Sequence, residues 1–142
     1  MAITLEIATK IVDATLAKGR EANMNPLTAC VVDDGGNLKA LKREDGRGAA
    51  MRPQIAMGKA FAAVGMGRST RALQDMAQQR PWFSASLVSV ATGGYVPVPG
   101  GVLILDADGS VLGAVGVTGD TADNDEIAAV AGIEAAGLKA QV

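Results

Sequence analysis

The chain has 142 residues, of which 49% are hydrophobic and 3% aromatic, and its formal net charge is −2. This length suits one hydrophobic core, so we expect a single domain over residues 1–142. The weakly acidic balance argues against a nucleic-acid partner, because phosphate recognition depends on clustered Lys and Arg. The chain has no signal-peptide pattern and no apolar run of about 18 residues, so we expect a cytoplasmic protein with no membrane partner.

The first third predicts a helix followed by a β-hairpin. Thr4 can cap a helix whose apolar residues recur at helical spacing, and this helix ends before Pro26. Residues 27–33 are nearly all apolar and typical of a strand. Asp-Gly-Gly-Asn at residues 34–37 suits a hairpin turn, and residues 37–43 return as a second, more exposed strand.

The middle of the chain predicts two helices and a less regular stretch. Pro53 suits the first turn of a helix that Gly-Met-Gly at residues 65–67 interrupts. A second, short helix over residues 71–79 starts at Ser69 or Thr70 and stops before a proline. Residues 82–95 have no decisive period, and we interpret them as a loop with a short strand at residues 87–91.

The last third predicts a second hairpin that leads into a helix. Residues 102–105 and Val111–Thr118 form its strands, and the final helix runs from Asp123 to about Leu138. Glycine inside a strand usually marks a bulge or the close approach of a backbone or ligand. The glycine-rich face at residues 113–119 is therefore a candidate wall of a binding site.

Three motifs carry a resemblance to a known family. They are Gly-Gly-Val at residues 100–102, Asp-Gly-x-Val-Leu-Gly-Ala-Val-Gly-Val-Thr-Gly at 108–119, and Asp-Glu-x-Ala-Ala-x-Ala-Gly at 125–132. In this order they resemble the GlcG/HbpS-like family, which also supplies the C-terminal domain of PduO-type proteins. The resemblance covers almost the whole chain. It implies an α/β (α+β), profilin-like sandwich, with helices packed on an antiparallel sheet of about five strands, and it implies a homo-oligomer.

The resemblance also implies haem as a candidate cofactor, since several members bind it. The chain contains no histidine. An axial ligand would therefore have to come from Met, Tyr95, Cys30, a lysine or a hydroxyl such as that of Thr118. Cys30 lies in an apolar strand and is interpreted as a small buried hydrophobe. No Cys/His spacing predicts a metal site.

Two interpretations stay open for the charged residues. In the first, Asp123, Asp125 and Glu126 complement the dipole of the last helix. In the second, Asp120, Asp123 or Glu126 faces a pocket beside the glycine-rich strand and accepts a proton or binds a cation. Lys59 interrupts an apolar helix face. Either its ammonium is solvated at the edge of the core, or it is buried and pairs with a ligand carboxylate, Asp123 or Glu126. Lys59, Asp123 and Glu126 are the candidate catalytic residues.

The candidate ligand-binding residues surround the glycine-rich strand and the loop before it. Arg68 can hold a carboxylate with its guanidinium fork, and Tyr95 can offer a flat ring or a hydroxyl at the lip of a pocket. The full set is Arg68, Tyr95, Gly100, Gly101, Gly116, Thr118 and Gly119.

These features give a first hypothesis and an alternative. The first is an oligomeric small-molecule-binding protein, with haem or another flat or carboxylate ligand. The alternative is a cytoplasmic enzyme of a catabolic pathway, using carboxylate and lysine acid–base chemistry on a small oxygenated organic acid or carbonyl compound. A third interpretation, an assembly module with an empty pocket, also stays open.

Overall fold

The computed structural model of the chain describes residues 1–142. Five helices and five strands confirm the expected α/β class. No helix is both long enough and apolar enough to cross a membrane. The elements in chain order are α1 Leu5–Glu21, β1 Thr28–Asp33, β2 Leu38–Arg43, α2 Arg52–Met66, α3 Thr70–Gln79, α4 Pro81–Val90, β3 Gly101–Leu105, β4 Val111–Thr118, α5 Ala122–Ala135 and β5 Lys139–Gln141.

The strands form one antiparallel sheet with the order β2-β1-β4-β3-β5. The central strand β4 pairs with β1 and β3, so its side chains alternate between two covered faces. Val115 and Val117 pack under α1 and α5, whereas Ala114 and Gly116 face α2. The sheet is therefore enclosed on both sides by helices.

Side-chain caps fix where three of the helices begin. The Thr4 hydroxyl accepts a hydrogen bond from the Ile7 amide at 3.1 Å, as the sequence predicted. Ser69 caps α3 in the same way, and Thr121 caps α5. Each hydroxyl satisfies one of the amides that a first turn leaves without a partner.

The expected loop and short strand at residues 82–95 are wrong, because Pro81–Val90 form the helix α4. This helix has no charged residue and is apolar nearly all round, so the sequence contains no amphipathic period to detect. Pro81 occupies its first turn, which proline tolerates because the amide there has no helical partner. The result is a third helix beside α2 and α3.

The C-terminal helix is also shorter than predicted. It ends at Ala135, and Gly137 has a φ of 77°, a left-handed conformation that favours glycine. The chain then turns back and forms β5, which pairs with the edge strand β3. The periodicity of the residues did not predict this short strand.

Candidate functional site

A buried lysine lies where α2, α5 and the ends of β3 and β4 meet. Lys59 is 2% exposed. Its ammonium donates to the Pro99 carbonyl at 3.0 Å, to the Val117 carbonyl at 2.8 Å and to Asp125 Oδ2 at 3.1 Å. An ammonium has three N–H donors, so all of them are used within the chain. We call Lys59, Asp125 and these two carbonyls the Lys59 centre.

The carboxylate of this centre is as buried as its ammonium. Asp125 is 2% exposed, and its Oδ1 accepts from the Asp120 amide at 2.9 Å. Burial raises the pKa of Asp125, and the nearby ammonium only partly offsets this rise. Burial likewise lowers the pKa of Lys59, against the opposing pull of Asp125. The pair therefore links α2 to α5 at a considerable desolvation cost.

The glycines that were expected to form a site wall make room for the protein's own backbone. A Cβ on Gly100 would lie 2.8 Å from the Lys59 ammonium, and one on Gly101 would lie 2.5 Å from the Lys59 carbonyl. A Cβ on Gly116 would overlap the Ala56 carbonyl of α2, and one on Gly119 would meet Pro26 and Leu27. The wall expected at these glycines thus faces the Lys59 centre and α2, with no free volume beside it.

The predicted pairing of Lys59 with Asp123 or Glu126 is wrong, because Asp125 takes that place. Asp123 and Glu126 both bind Arg71 of α3 instead, and the distance from Arg71 Nε to Glu126 Oε2 is 3.0 Å. The structure therefore does not bring the three candidate catalytic residues together. It places Asp123 and Glu126 in an ion-pair cluster that ties α3 to the first turn of α5.

Sequence reasoning assigned Asp125 only to the helix dipole, although a signal for its burial exists. Asp125 shares the helical spacing i, i+3, i+4, i+7 with Ala128, Ala129 and Gly132, which are buried residues of α5. An acidic residue in line with an apolar face predicts a buried carboxylate, and such a carboxylate needs a cation. Arg71 was missed because nothing in its own helix marks it as different from the other arginines.

An apolar cavity opens between the second half of α2, α4 and the loop that holds Tyr95. Its volume is about 160 Å³. Tyr95 is 9% exposed, and its hydroxyl is buried without a hydrogen-bond partner. Burial raises the pKa of Tyr95, and Ser84 counteracts part of that rise without reaching hydrogen-bond geometry. We call this space the Tyr95 cavity, lined by Phe61, Ala62, Gly65, Met66, Leu87, Val90, Ala91 and Tyr95.

A more polar cleft of about 460 Å³ adjoins this cavity. Met66 lines both spaces. The guanidinium of Arg80 lies over the Phe83 ring, 4.5 Å from its centroid. Neither Arg68 nor Arg80 forms an ion pair with an acidic side chain. We call this space the arginine cleft, lined by Met66, Arg68, Ala72, Asp75, Met76, Gln79, Arg80 and Phe83.

The possible axial ligands differ in access to these spaces. Cys30 is fully buried, and burial raises the pKa of its thiol to about 12. Lys59 has no free donor, and Thr118, 7% exposed at the end of β4, lines neither space. Of the possible axial ligands, only Tyr95 and Met66 line the Tyr95 cavity. No group of three or more Cys, Asp or Glu side chains is arranged to hold a metal ion.

Comparisons with known families and proteins agree with this fold. The family model described as "Haem degrading protein HbpS-like" matches residues 3–134. An uncharacterised 15.0 kDa protein from the dhaT-dhaS intergenic region of Citrobacter freundii is 33% identical over 127 residues, which cover 89% of this chain and 87% of that protein.

Solved structures are similar over nearly the whole chain. A double mutant of HbpS from Streptomyces reticuli has a TM-score of 0.80 at 29% identity, covering 94% of this chain and 86% of that one. The Klebsiella pneumoniae protein ORFY has a TM-score of 0.81 at 26% identity, covering 95% and 90%. A complex of PduOC with haem has a TM-score of 0.83 and full coverage of both chains, and at 22% identity it supports the fold alone.

Proposed function

The chain belongs to the haem-degrading HbpS-like family, and we propose from this premise that it is a small-molecule-binding protein whose ligand occupies the Tyr95 cavity. One observation carries the proposal: Tyr95, whose buried phenol hydroxyl has no partner, is among the residues that line an otherwise apolar cavity. A buried polar group normally has a hydrogen-bond partner, and an orphan costs about 1–3 kcal/mol. A ligand with an acceptor atom would remove that cost.

Haem is the candidate ligand that the family suggests. The apolar walls formed by Phe61, Leu87 and Val90 suit its ring in chemistry, and a cavity of about 160 Å³ would leave part of the ring outside. Tyr95 and Met66 are the lining residues that would be able to hold its iron, since both are known types of haem ligand. When bound, haem supplies redox and oxygen chemistry. The chain itself would exclude water from the part of the ring that enters the cavity.

The Tyr95→Phe variant separates a ligand-binding role from a packing role. It keeps the ring and removes the orphan hydroxyl. We expect the ligand-free protein to become more stable, by up to about 1–3 kcal/mol, because a buried group without a partner disappears. We also expect haem binding to weaken by roughly 2- to 12-fold, the worth of one net hydrogen bond of about 0.5–1.5 kcal/mol.

The measurements are urea denaturation for stability and a haem titration that follows the Soret band. Met57→Leu, a change on α2 outside both cavities, is the control for the titration. Opposite signs of the two effects support the proposal. A wild-type protein that gives no saturable Soret shift at micromolar concentration contradicts haem as the ligand. A Tyr95→Phe variant that binds haem as tightly as the wild type contradicts the role of the hydroxyl.

We also propose that the protein is a homo-oligomer in which α4 lies at an interface. This helix carries no charge, yet Trp82 is 70% exposed and Val90 72% exposed. A helix that is apolar all round is normally covered. Val90 also lines the Tyr95 cavity, so a second copy at α4 would help to close it. A mass measurement in solution tests this proposal, and a stable monomer would contradict it.

The acid–base alternative has less support in the geometry. The Lys59 ammonium donates its three hydrogen bonds to partners within the chain, and Asp123 and Glu126 are paired with Arg71. None of the three lines the Tyr95 cavity or the arginine cleft. A catalytic role for these residues, a catabolic pathway and a cytoplasmic location stay predictions of the sequence.

A further inference from the structure

The volume of the Tyr95 cavity limits the size of the molecule that it can enclose. At about 160 Å³ it is close to the roughly 150 Å³ of an apolar cavity that holds one benzene ring. A macrocycle would leave most of its atoms outside, whereas a single ring with a short substituent would fit. The enclosed space therefore suits a ligand with one ring.

The cavity exists because small residues line it where larger ones would fill it. Gly65 contributes no side chain, and a Cβ placed there would meet only the edge of the Phe61 ring, at 4.0 Å. Ala62 and Ala91 contribute one methyl group each. Gly65 lies inside α2 and has no positive φ, so the backbone does not require glycine at this position. The open volume beside it is a feature that the helix itself does not need.

Phe61 forms a wall of this cavity whose position is fixed from the other side. A Cβ on Gly36 would lie 2.7 Å from Phe61 Cε2, and one on Gly93 would overlap the same edge of the ring. The ring is therefore packed against the backbones of these two glycines. Its opposite edge, at Cε1, is the one beside Gly65. A close-packed wall of this kind keeps the shape of the cavity when no ligand is bound.

The side chains around the cavity favour an aromatic occupant over an aliphatic one. Phe61 and Tyr95 contribute aromatic rings, which attract another ring beyond the burial of its area. Met66 adds a thioether, whose sulfur makes favourable contacts with aromatic rings. No charged side chain lines the cavity, so a charged ligand would lose its hydration without an ion pair in return. A neutral aromatic ring meets all of these conditions.

Resting on the proposed function, we propose that the ligand of the Tyr95 cavity is a small, neutral aromatic molecule with a single ring. Its ring lies against Phe61 and Met66, and a short polar substituent points to the open side of the cavity, where water solvates it. This class differs from haem in its size and in needing no metal ligand. The proposed function holds for any small-molecule ligand of the cavity, so the two can fail separately.

A methyl NMR titration with benzyl alcohol tests this proposal. Its ring current shifts the methyl signals that it covers, so we expect saturable shifts at Met66, Leu87 and Val90. We expect a Kd of about 0.1–3 mM, as ligands of about eight non-hydrogen atoms reach. Cyclohexylmethanol has the same carbon skeleton without the aromatic ring, and in competition it should bind about 2- to 12-fold more weakly. Benzoate carries a charge on the same ring and should give no saturable shift at comparable concentrations.

A pair of variants at Gly65 locates the ligand. Gly65→Leu extends a side chain into the cavity, and we expect it to weaken benzyl alcohol binding by about tenfold or more. Gly65→Ala adds only a methyl group and should stay within about twofold of the wild type. Both variants replace a glycine of α2 with a residue of better helix propensity, so both should keep the fold, which thermal denaturation checks.

The outcomes separate this inference from the proposed function. If benzyl alcohol gives no saturable shift while the haem titration saturates, the aromatic ligand class is overturned and the proposed function stands. The inference is also overturned if cyclohexylmethanol or benzoate binds as tightly as benzyl alcohol, or if Gly65→Leu binds benzyl alcohol as the wild type does. If neither benzyl alcohol nor haem binds to the wild-type protein, the proposed function and the inference both fail.

Discussion

Replacing Lys59 with Met is expected to destabilise the protein strongly. Methionine keeps much of the apolar stem and removes the ammonium, which leaves Asp125 Oδ2 and the Pro99 and Val117 carbonyls without their donor. Breaking a buried ion pair by removing one partner costs about 3–5 kcal/mol. A domain of this kind has about 5–15 kcal/mol of total stability, so the loss is a large fraction of it.

Urea denaturation followed by far-UV circular dichroism measures this loss as a lower midpoint at an unchanged slope. Lys10→Met is the matched control, since Lys10 is an exposed lysine on α1 and its change should stay within about 0.5 kcal/mol. The double variant Lys59→Met with Asp125→Leu should recover part of the loss, because an apolar pair avoids the burial of an unpaired charge. The effects of the two single variants should therefore not add.

A Lys59→Met variant within about 1 kcal/mol of the wild type would refute this reasoning, as would a double variant whose loss equals the sum of the two single losses. The prediction also changes the test of the enzyme alternative. If Lys59 were catalytic, Lys59→Ala would be expected to abolish turnover without unfolding the protein. The structure indicates that stability must be measured first, because a lost activity could reflect a lost fold.

Three further predictions concern other parts of the chain. Gly116→Ala should destabilise the protein markedly, since the added Cβ overlaps the Ala56 carbonyl; thermal denaturation measures the loss, and an unchanged midpoint would mean that α2 can move away. Asp120→Asn should lower stability at neutral pH. The difference in stability between wild type and variant should shrink as the pH falls below 3.8, the ordinary pKa of an aspartate. The hydrogen bond from the Asn25 amide, with others, lowers the pKa of Asp120. The stability that these bonds provide is lost when the carboxylate is protonated in the folded state. Stability curves of wild type and variant that stay parallel as the pH falls would contradict this prediction. The Cys30 thiol should resist alkylation in the folded protein and react in urea, because burial raises its pKa to about 12; fast labelling without denaturant would argue against this burial.

The elements with a clear period were predictable from the sequence. The first helix, its Thr4 cap and both hairpins follow from local chemistry that needs no distant partner. The helix α4 was not predictable in this way, because a segment with apolar residues on every side carries no period. The short strand β5 depends on pairing with β3, a contact that no local pattern records.

The candidate site was predictable only in its separate parts. Lys59 attracted attention as a cation on an apolar helix face, but its partner is 66 positions further along the chain, and local spacing does not select among the neighbouring carboxylates. The glycine-rich strand was correctly expected to meet something closely, and the close neighbour is the backbone of α2. Tyr95 lines the Tyr95 cavity and Arg68 lines the adjoining arginine cleft, because α3 and α4 pack beside α2. The sequence did not predict this packing.

Mapping a bound porphyrin by methyl NMR tests the central claim most directly. Protoporphyrin IX is diamagnetic, and its ring current shifts the methyl signals of residues that it covers. The account predicts the largest shifts at Met66, Leu87 and Val90, with little change at Ile133, which lies on the opposite face of the sheet. Largest shifts at Ile133, or no saturable shifts at any methyl group, would contradict a ligand site in the Tyr95 cavity.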